Sequence, residues 1–240
     1  MLVMESAAPA PEQLGLRLKE PLPGEDAHAL MRPRHRPGLV QTIPPEQSHS
    51  GAVLILLVPP EAQNSRSTVT IPLIERSDDG GPHAGQIALP GGRVEEGDSS
   101  IAEAALREAR EEIGLDPAAC RVLGTLTPLH IDVSGFVVTP VVAWYLRSPS
   151  KGSQSFRADP REVRRIISID PGILARSHSV EEVVARGHRF PVPAFRVGKT
   201  VIWGATAMIL AEFSLLWGNS PADPGEVRSS TPAPGPHFAP

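Results

Sequence analysis

Apolar residues crowd first at Ala52–Val58, AVLILLV, and two prolines follow directly. A short unbroken apolar run bounded in this way predicts a buried strand. Thr68–Ile74 reads as a second strand, and Arg121–Leu126 and Gly135–Leu146 as two more, the last rich in the Val, Tyr and Trp that half-buried sheet positions favour. Arg165–Ile169 is a short strand, after which Asp170-Pro171 opens a helix with proline where its missing donor costs nothing. Phe190–Phe195 and Thr200–Trp203 form another strand pair. Helical spacing appears in two long stretches. From Ile101, Ala102, Leu106, Ala109 and Ile113 recur as an apolar stripe; Ser100 with Glu103 makes a capping box before it, and Gly114 supplies the stop. Ala205–Trp217, closed by Gly218, is a second amphipathic helix, in which Glu212 argues against a membrane span. Strands interleaved with two substantial helices, without internal repeats, give an α/β class.

The ends have a different texture. Residues 1–50 carry many prolines and few large apolar side chains, which predicts an extended or loosely docked N-terminal arm holding one short helix over Leu22–Met31. Within it, Arg32-Pro33-Arg34-His35-Arg36-Pro37 is either a solvated linker or a contact for an anionic substrate. Residues 219–240 are rich in Pro, Ser and Gly and read as a disordered tail, which leaves 51–218 as the folded domain. A net charge of −4 argues against a nucleic-acid-coating protein. One cysteine, Cys120, excludes an intrachain disulfide and suits a reducing cytoplasm. The N-terminus shows no secretory signal, and no apolar run is long enough to span a bilayer.

The chemistry concentrates in Gly91–Leu115, GGRVEEGDSSIAEAALREAREEIGL. At about 100° per residue, Glu108, Glu111 and Glu112 fall roughly opposite the apolar stripe and share one face. Carboxylates three and four apart repel, so a cation should offset them. Arg107 and Arg110 would do so on a solvated acidic face; a hard divalent ion, which takes oxygen ligands and helps hold phosphate oxygens, would do so in a metal site. Pro90-Gly91-Gly92, just upstream, lets backbone approach an ion closely.

At this point the chain resembles the Nudix hydrolases, whose signature is G-x5-E-x7-R-E-x2-E-E-x-G. Arg107–Leu115 matches the second half in full, and Gly92 with Asp98 matches the first, aspartate standing for glutamate. Eight residues rather than seven separate Asp98 from Arg107, which puts an inserted residue near Ser99 and leaves the role of Asp98 open. The resemblance implies an α/β/α sandwich with a mixed β-sheet and a Mg2+ or Mn2+ cofactor. It implies Glu108 and Glu112 as the leading metal ligands, with Glu111 beside them to coordinate or accept a proton from water. Gly92 would add its carbonyl, and Arg107 would orient a glutamate by an ion pair.

A narrower resemblance, to the coenzyme A pyrophosphatase branch and its L-L-T-x-R-S-x3-R-x3-G-x3-F-P-G-G signature, runs through Leu73-Ile74-Glu75-Arg76-Ser77 and His83–Gly92. Pro72, Ile74, Gly81 and Leu89 depart from it, and Gly81 replaces an arginine suited to a phosphate oxygen. Gly135–Pro140 and Ile202–Thr206 also look like this branch. It implies hydrolysis of the diphosphate of coenzyme A or acyl-coenzyme A, with Arg76, His83 and Gln86 as candidate substrate contacts. Arg76 and Gln86 alternatively cap strand ends, and His83 alternatively serves its own loop. Two other readings stay open: a Nudix enzyme for another nucleoside diphosphate derivative, such as a sugar or dinucleotide, and a Nudix-fold binding module without turnover. The expected partner is a small nucleoside diphosphate substrate, with neither nucleic acid nor membrane, and a homodimer is compatible with the sequence. Trp203 and Phe136 read as core rather than as platforms for adenine, and Cys120 as buried or inert.

Overall fold

The structure is a computed structural model that describes residues 9–34, 43, 48–60, 68–77, 85–132, 134–146, 156–185 and 187–218. Its centre is β1 (His49–Leu57), which pairs in parallel with β7 (Phe136–Tyr145) and antiparallel with β4 (Gly91–Arg93). Two further strands, β5 (Cys120–Thr125) and β6 (Leu129–Ile131), add antiparallel to β7 and complete a five-stranded mixed sheet. A second sheet runs β3 (Ile87–Ala88), β2 (Ile71–Arg76), β8 (Val163–Ile169). A third runs β11 (Thr200–Trp203), β10 (His188–Val197), β9 (His178–Ala185).

The unbroken apolar run of β1 has a plain cause, because its two faces serve two cores. Ala52, Leu54 and Leu56 join one cluster with Ala104, Ala105, Ala109 and Ile113 of α3 (Ile101–Ile113). Ile55 and Leu57 join another with Ala207, Leu210 and Phe213 of α4 (Gly204–Gly218). Helices on both faces make the expected α/β/α sandwich. The predicted strands all form, Thr200–Trp203 with the expected bounds and the others with ends displaced by up to three residues. The segment after Asp170 is a 3-10 turn, Pro171–Arg176, rather than an α-helix; Asp170 caps it by accepting the Gly172 N–H at 2.7 Å. Four strands, β3, β4, β6 and β9, lack a sequence expectation. Three of them are two or three residues long, and β9 alternates weakly through Glu181-Glu182.

Two further expectations need correcting. Helix α4 is not amphipathic: residues 206–213 are all buried, because the N-terminal segment covers the side that solvent would otherwise have. That segment is accordingly no loose arm over its described part. It forms α1 (Pro11–Arg17) and α2 (Gly24–Met31), the latter close to the helix expected at Leu22–Met31, and places Leu14 and Met31 fully inside the α4 core. The contact is closed by Glu212, whose buried carboxylate accepts from Gly24 N–H (3.2 Å), Thr127 N–H (3.3 Å) and Thr127 Oγ1 (2.6 Å) and lies 3.0 Å from His28 Nε2. Desolvation pushes its pKa up, but the bonds to His28 and Thr127 outweigh this and hold it below the usual value. Arg32 pairs with Glu25 at 2.8 Å; the rest of its basic cluster from His35 onward, and the tail 219–240, lie outside the described residues. Among the described residues no helix is long and apolar enough to cross a membrane.

Candidate active site

The site is built where α3 lies across β4 and the turn that precedes it. Ser100, in extended conformation, caps α3 by accepting the Glu103 N–H at 3.1 Å. Glu103 reaches back one residue further than a capping box requires, to the N–H of Ser99 at 2.8 Å and to its hydroxyl. The extra residue is thus absorbed at the cap. At the other end Gly114 takes the left-handed conformation (φ 68°), with Gly114 N–H bonded to Arg110 O and Leu115 N–H to Ala109 O, an αL stop.

Between these ends the helix docks through a face centred on Ala105, Glu108, Ala109 and Glu112, not on the stripe through Ala102 and Leu106. Small residues at 104, 105 and 109 bring the helix axis close to the sheet, which swings the larger Ala102–Leu106 side toward the rim. The three glutamates therefore do not share one outward face. Glu112 is 2% exposed and Glu108 15%, both turned inward one helical turn apart, whereas Glu111 is 52% exposed.

The glycine turn receives the two inward carboxylates. Gly91 N–H donates to Glu112 Oε2 at 2.9 Å. A Cβ on Gly92 would fall 2.6 Å from the Glu108 carboxyl carbon, so only glycine leaves room for that group. A Cβ on Gly91 would fall 2.3 Å from the Ala52 carbonyl, where β1 and β4 pair.

Arg107 organises the rim. Its guanidinium grips both oxygens of Asp98 (2.9 and 3.1 Å), donates to Arg93 O (3.0 Å) and Glu108 Oε1 (3.0 Å), and reaches Glu111 Oε2 at 3.4 Å. Asp98 still meets Arg107 despite the insertion, and its bidentate contact makes it an anchor for the arginine. Glu111 and Glu112, consecutive on the helix, point about 100° apart, and among the described residues no three His, Cys, Asp or Glu side chains converge as they would on an ion. The expected cluster of three is, as it stands, a pair with a third carboxylate held aside.

The pair itself suits a hard divalent ion. Burial pushes the Glu112 pKa up to about 7; the Gly91 N–H and Arg76 counteract this, and Glu108 and Glu162 reinforce it. Desolvation likewise raises Glu108 despite Arg107. Two adjacent buried carboxylates with incomplete positive compensation favour a cation. Mg2+ is commonly held by one or two carboxylates, with waters and substrate phosphates filling the remaining positions. Gly92 lies directly beneath the Glu108 carboxyl group.

Of the substrate candidates, Arg76 joins the site: its Nη1 lies 3.8 Å from Glu112 Oε1, and its side chain is 38% exposed. Gln86 sits beside it, its carbonyl accepting the Arg76 N–H at 3.0 Å. His83 and Gly81 lie outside the described residues. Phe136 packs against the α4 core and edge-on to His49, and Trp203 lies edge-on to Phe190. Cys120, half-buried with its thiol donating to Asp116 O, is pushed up to about 11 by burial, which leaves it a poor nucleophile at neutral pH.

Glu162 is the site residue that sequence reasoning missed. The turn 159–162 is pinned to the end of α3 by Asp159 N–H to Glu112 O (2.9 Å) and to Ser77 by Ser77 N–H to Glu162 O (2.9 Å). This sets an exposed carboxylate within electrostatic reach of Glu108 and Glu112. No local motif marks it.

The NUDIX domain family matches residues 49–186. The Nudix hydrolase NudL of Pectobacterium atrosepticum is 33% identical over 180 residues, 74% of this chain and 88% of its own length. NudL of Salmonella paratyphi B is 36% identical over 175 residues, 67% and 88%. A crystal structure of a MutT protein from Methanosarcina mazei superposes with a TM-score of 0.44 at 15% identity, covering 72% of this chain and 96% of that one. The family match spans more than half of the sequence and contains the whole glycine turn and α3, and on that ground the chain belongs to the Nudix hydrolases.

Proposed function

We propose that this Nudix hydrolase cleaves the diphosphate linkage of coenzyme A or acyl-coenzyme A, giving 4'-phosphopantetheine, or its acyl form, and adenosine 3',5'-bisphosphate. The observation that carries the reading is the position of Arg76. This arginine of the second, branch-like signature lies against Glu112 of the first, so the two motifs meet at one place. Glu108 and Glu112 would hold Mg2+ or Mn2+, which when bound supplies charge neutralisation at the phosphates and a more acidic water. The chain's own residues do the rest. Gly91 N–H aims the Glu112 carboxylate, and Arg107, fixed by Asp98, aims Glu108. Arg76 presents a guanidinium to a phosphate oxygen. Glu111, half-exposed on the rim, accepts a proton at its carboxylate.

Gly81 favours a second reading, a Nudix enzyme for another nucleoside diphosphate derivative, because it removes a guanidinium that the branch signature places near phosphate. The lone cysteine suits a reducing compartment, and we place the enzyme in the cytoplasm.

The test is hydrolysis of coenzyme A, an acyl-coenzyme A, NADH, ADP-ribose and a diadenosine polyphosphate, with Mg2+, Mn2+ or chelator, with products identified by mass. Metal-dependent release of adenosine 3',5'-bisphosphate, with the other compounds cut far more slowly, is the expected result. Preferential cleavage of another compound selects the second reading. No cleavage of any, with partner binding that depends on a bound nucleotide, selects the binding module.

A further inference from the structure

Strand β9 is the feature of the fold that the catalytic site does not use. Among the described residues it pairs with β10 alone, and its other side is an open edge among them. The ladder fixes which groups lie on that edge. Arg196 N–H donates to Ser177 O at 2.8 Å, and bonded and non-bonded pairs alternate from there. Ser179, Glu181, Val183 and Ala185 therefore bond to β10, while the N–H and C=O of His178, Val180, Glu182 and Val184 point outward. The prolines of β10 agree: Pro191 and Pro193 face Glu182 and Val180, at the non-bonded positions where β9 asks for no N–H.

Open edges are normally protected by charged side chains, lysine above all, or by proline or a bulge. His178–Ala185 contains no proline or lysine, and its register with β10 runs unshifted over all eight pairs. Its outer residues include Val180, 73% exposed, and Val184, 64% exposed. An edge of this kind invites a further strand, and its charge pattern says which.

We infer that β9 pairs antiparallel with β9 of a second copy of this chain about a two-fold axis at Val180. An axis at Glu181 or Glu182 would set that glutamate against its own copy, and like charges directly opposite destabilise a strand pair. An axis at Val183 would set Glu182 against Val184. With the axis at Val180 the valines meet each other, His178 faces Glu182 twice, and Ser179 faces Glu181 twice. The strand is self-complementary in this register alone among the four. The His178 ring is already placed for its part, held edge-on to buried Phe195 with ring centroids 4.9 Å apart. Glu181 is held by Arg196 on the other face. The product is a continuous six-stranded sheet, β11-β10-β9 followed by the same strands of the second copy. Few residues overlap, so the association is weak and concentration-dependent.

Sedimentation of the full chain up to about 100 µM, a range suited to small interfaces, tests the assembly. A monomer–dimer equilibrium is expected for the unaltered protein. Val180→Pro should weaken it at least about tenfold while leaving the fold intact by circular dichroism, since the lost N–H points away from β10. Val180→Lys reads the same edge should the proline variant not fold. Glu182→Gln should weaken association several-fold by removing the charge opposite His178. A protein monomeric throughout, or a dimer indifferent to both Val180 variants, overturns the proposal. Tighter association of Glu182→Gln would place like charges on the axis and overturn it as well.

Discussion

Replacing Glu112 by glutamine should make the metal-free protein more stable at neutral pH while abolishing turnover. Glu112 is 2% exposed, and its carboxyl, ordinarily titrating at 4.5, is pushed up to about 7, first by desolvation. Below pH 4.5 the group is protonated in both the folded and unfolded chain and has no effect. As pH rises from there the unfolded chain releases its proton first, so stability falls progressively until about pH 7 and is level beyond it. The interval of about 2.5 pH units corresponds to about 3 kcal/mol, an order-of-magnitude figure for a group so thoroughly buried. Glutamine has no such slope, and its side-chain oxygen can still accept from Gly91 N–H. Urea unfolding in chelator at pH 5 and pH 8 measures the difference. Most of the variant's advantage should appear only at pH 8, and Mg2+ added at pH 8 should stabilise the unaltered protein and not the variant. A stability difference that is the same at both pH values would show that no strained carboxylate sits at 112, and the argument for a cation between Glu108 and Glu112 would go with it.

Gly92→Ala should push the Glu108 carboxylate aside and lower kcat/KM by about a hundredfold or more, with weaker Mn2+ binding by calorimetry as the accompanying sign. Arg107→Lys, which loses the forked contact with Asp98 and the bond to Arg93 O, should lower stability by about 1–2 kcal/mol in urea unfolding and reduce kcat more than it raises KM. Asp98→Asn should leave Mn2+ affinity within about twofold, because Asp98 serves Arg107 and not the ion; a large loss of affinity would return it to the ligand set. Glu212→Ala should destabilise the fold by about 3–5 kcal/mol, since it strands His28, Gly24 N–H and Thr127 around an empty site. The depressed pKa of Glu212 stabilises the fold above pH 4.5 and loses that effect as pH falls through its folded value, so Glu212→Gln should show a shallower acid unfolding profile.

The sequence carried the chemistry of α3 more faithfully than its orientation. Ser100, Gly114 and the spacing of Glu108 and Glu112 could be read locally, because caps and helical periodicity are local. Which way the helix faces was decided by Ala104, Ala105 and Ala109, whose small size matters only against a particular sheet. Glu162 and the grip of Arg107 on Asp98 depend on segments brought together by the fold, and nothing in their immediate neighbours announces them. The same holds at the N-terminus. Leu14 and Met31 are isolated apolar residues in a proline-rich stretch, and their weight appears only once α4 is seen to need a cover.

The clasp between α2 and α4 bears on how the chain is made. Gly24 and Glu212 are separated by 188 positions, and the parallel partners β1 and β7 also lie far apart in the order of synthesis. At ribosomal speeds the interval between Gly24 and Glu212 is roughly 10–40 s. Throughout it Leu14 and Met31 lack the helix that receives them, because α4 is made long after α1 and α2. Helices α1 and α2 are thus made well before they are housed, and a nascent chain arrested before α4 would present their apolar faces to chaperones.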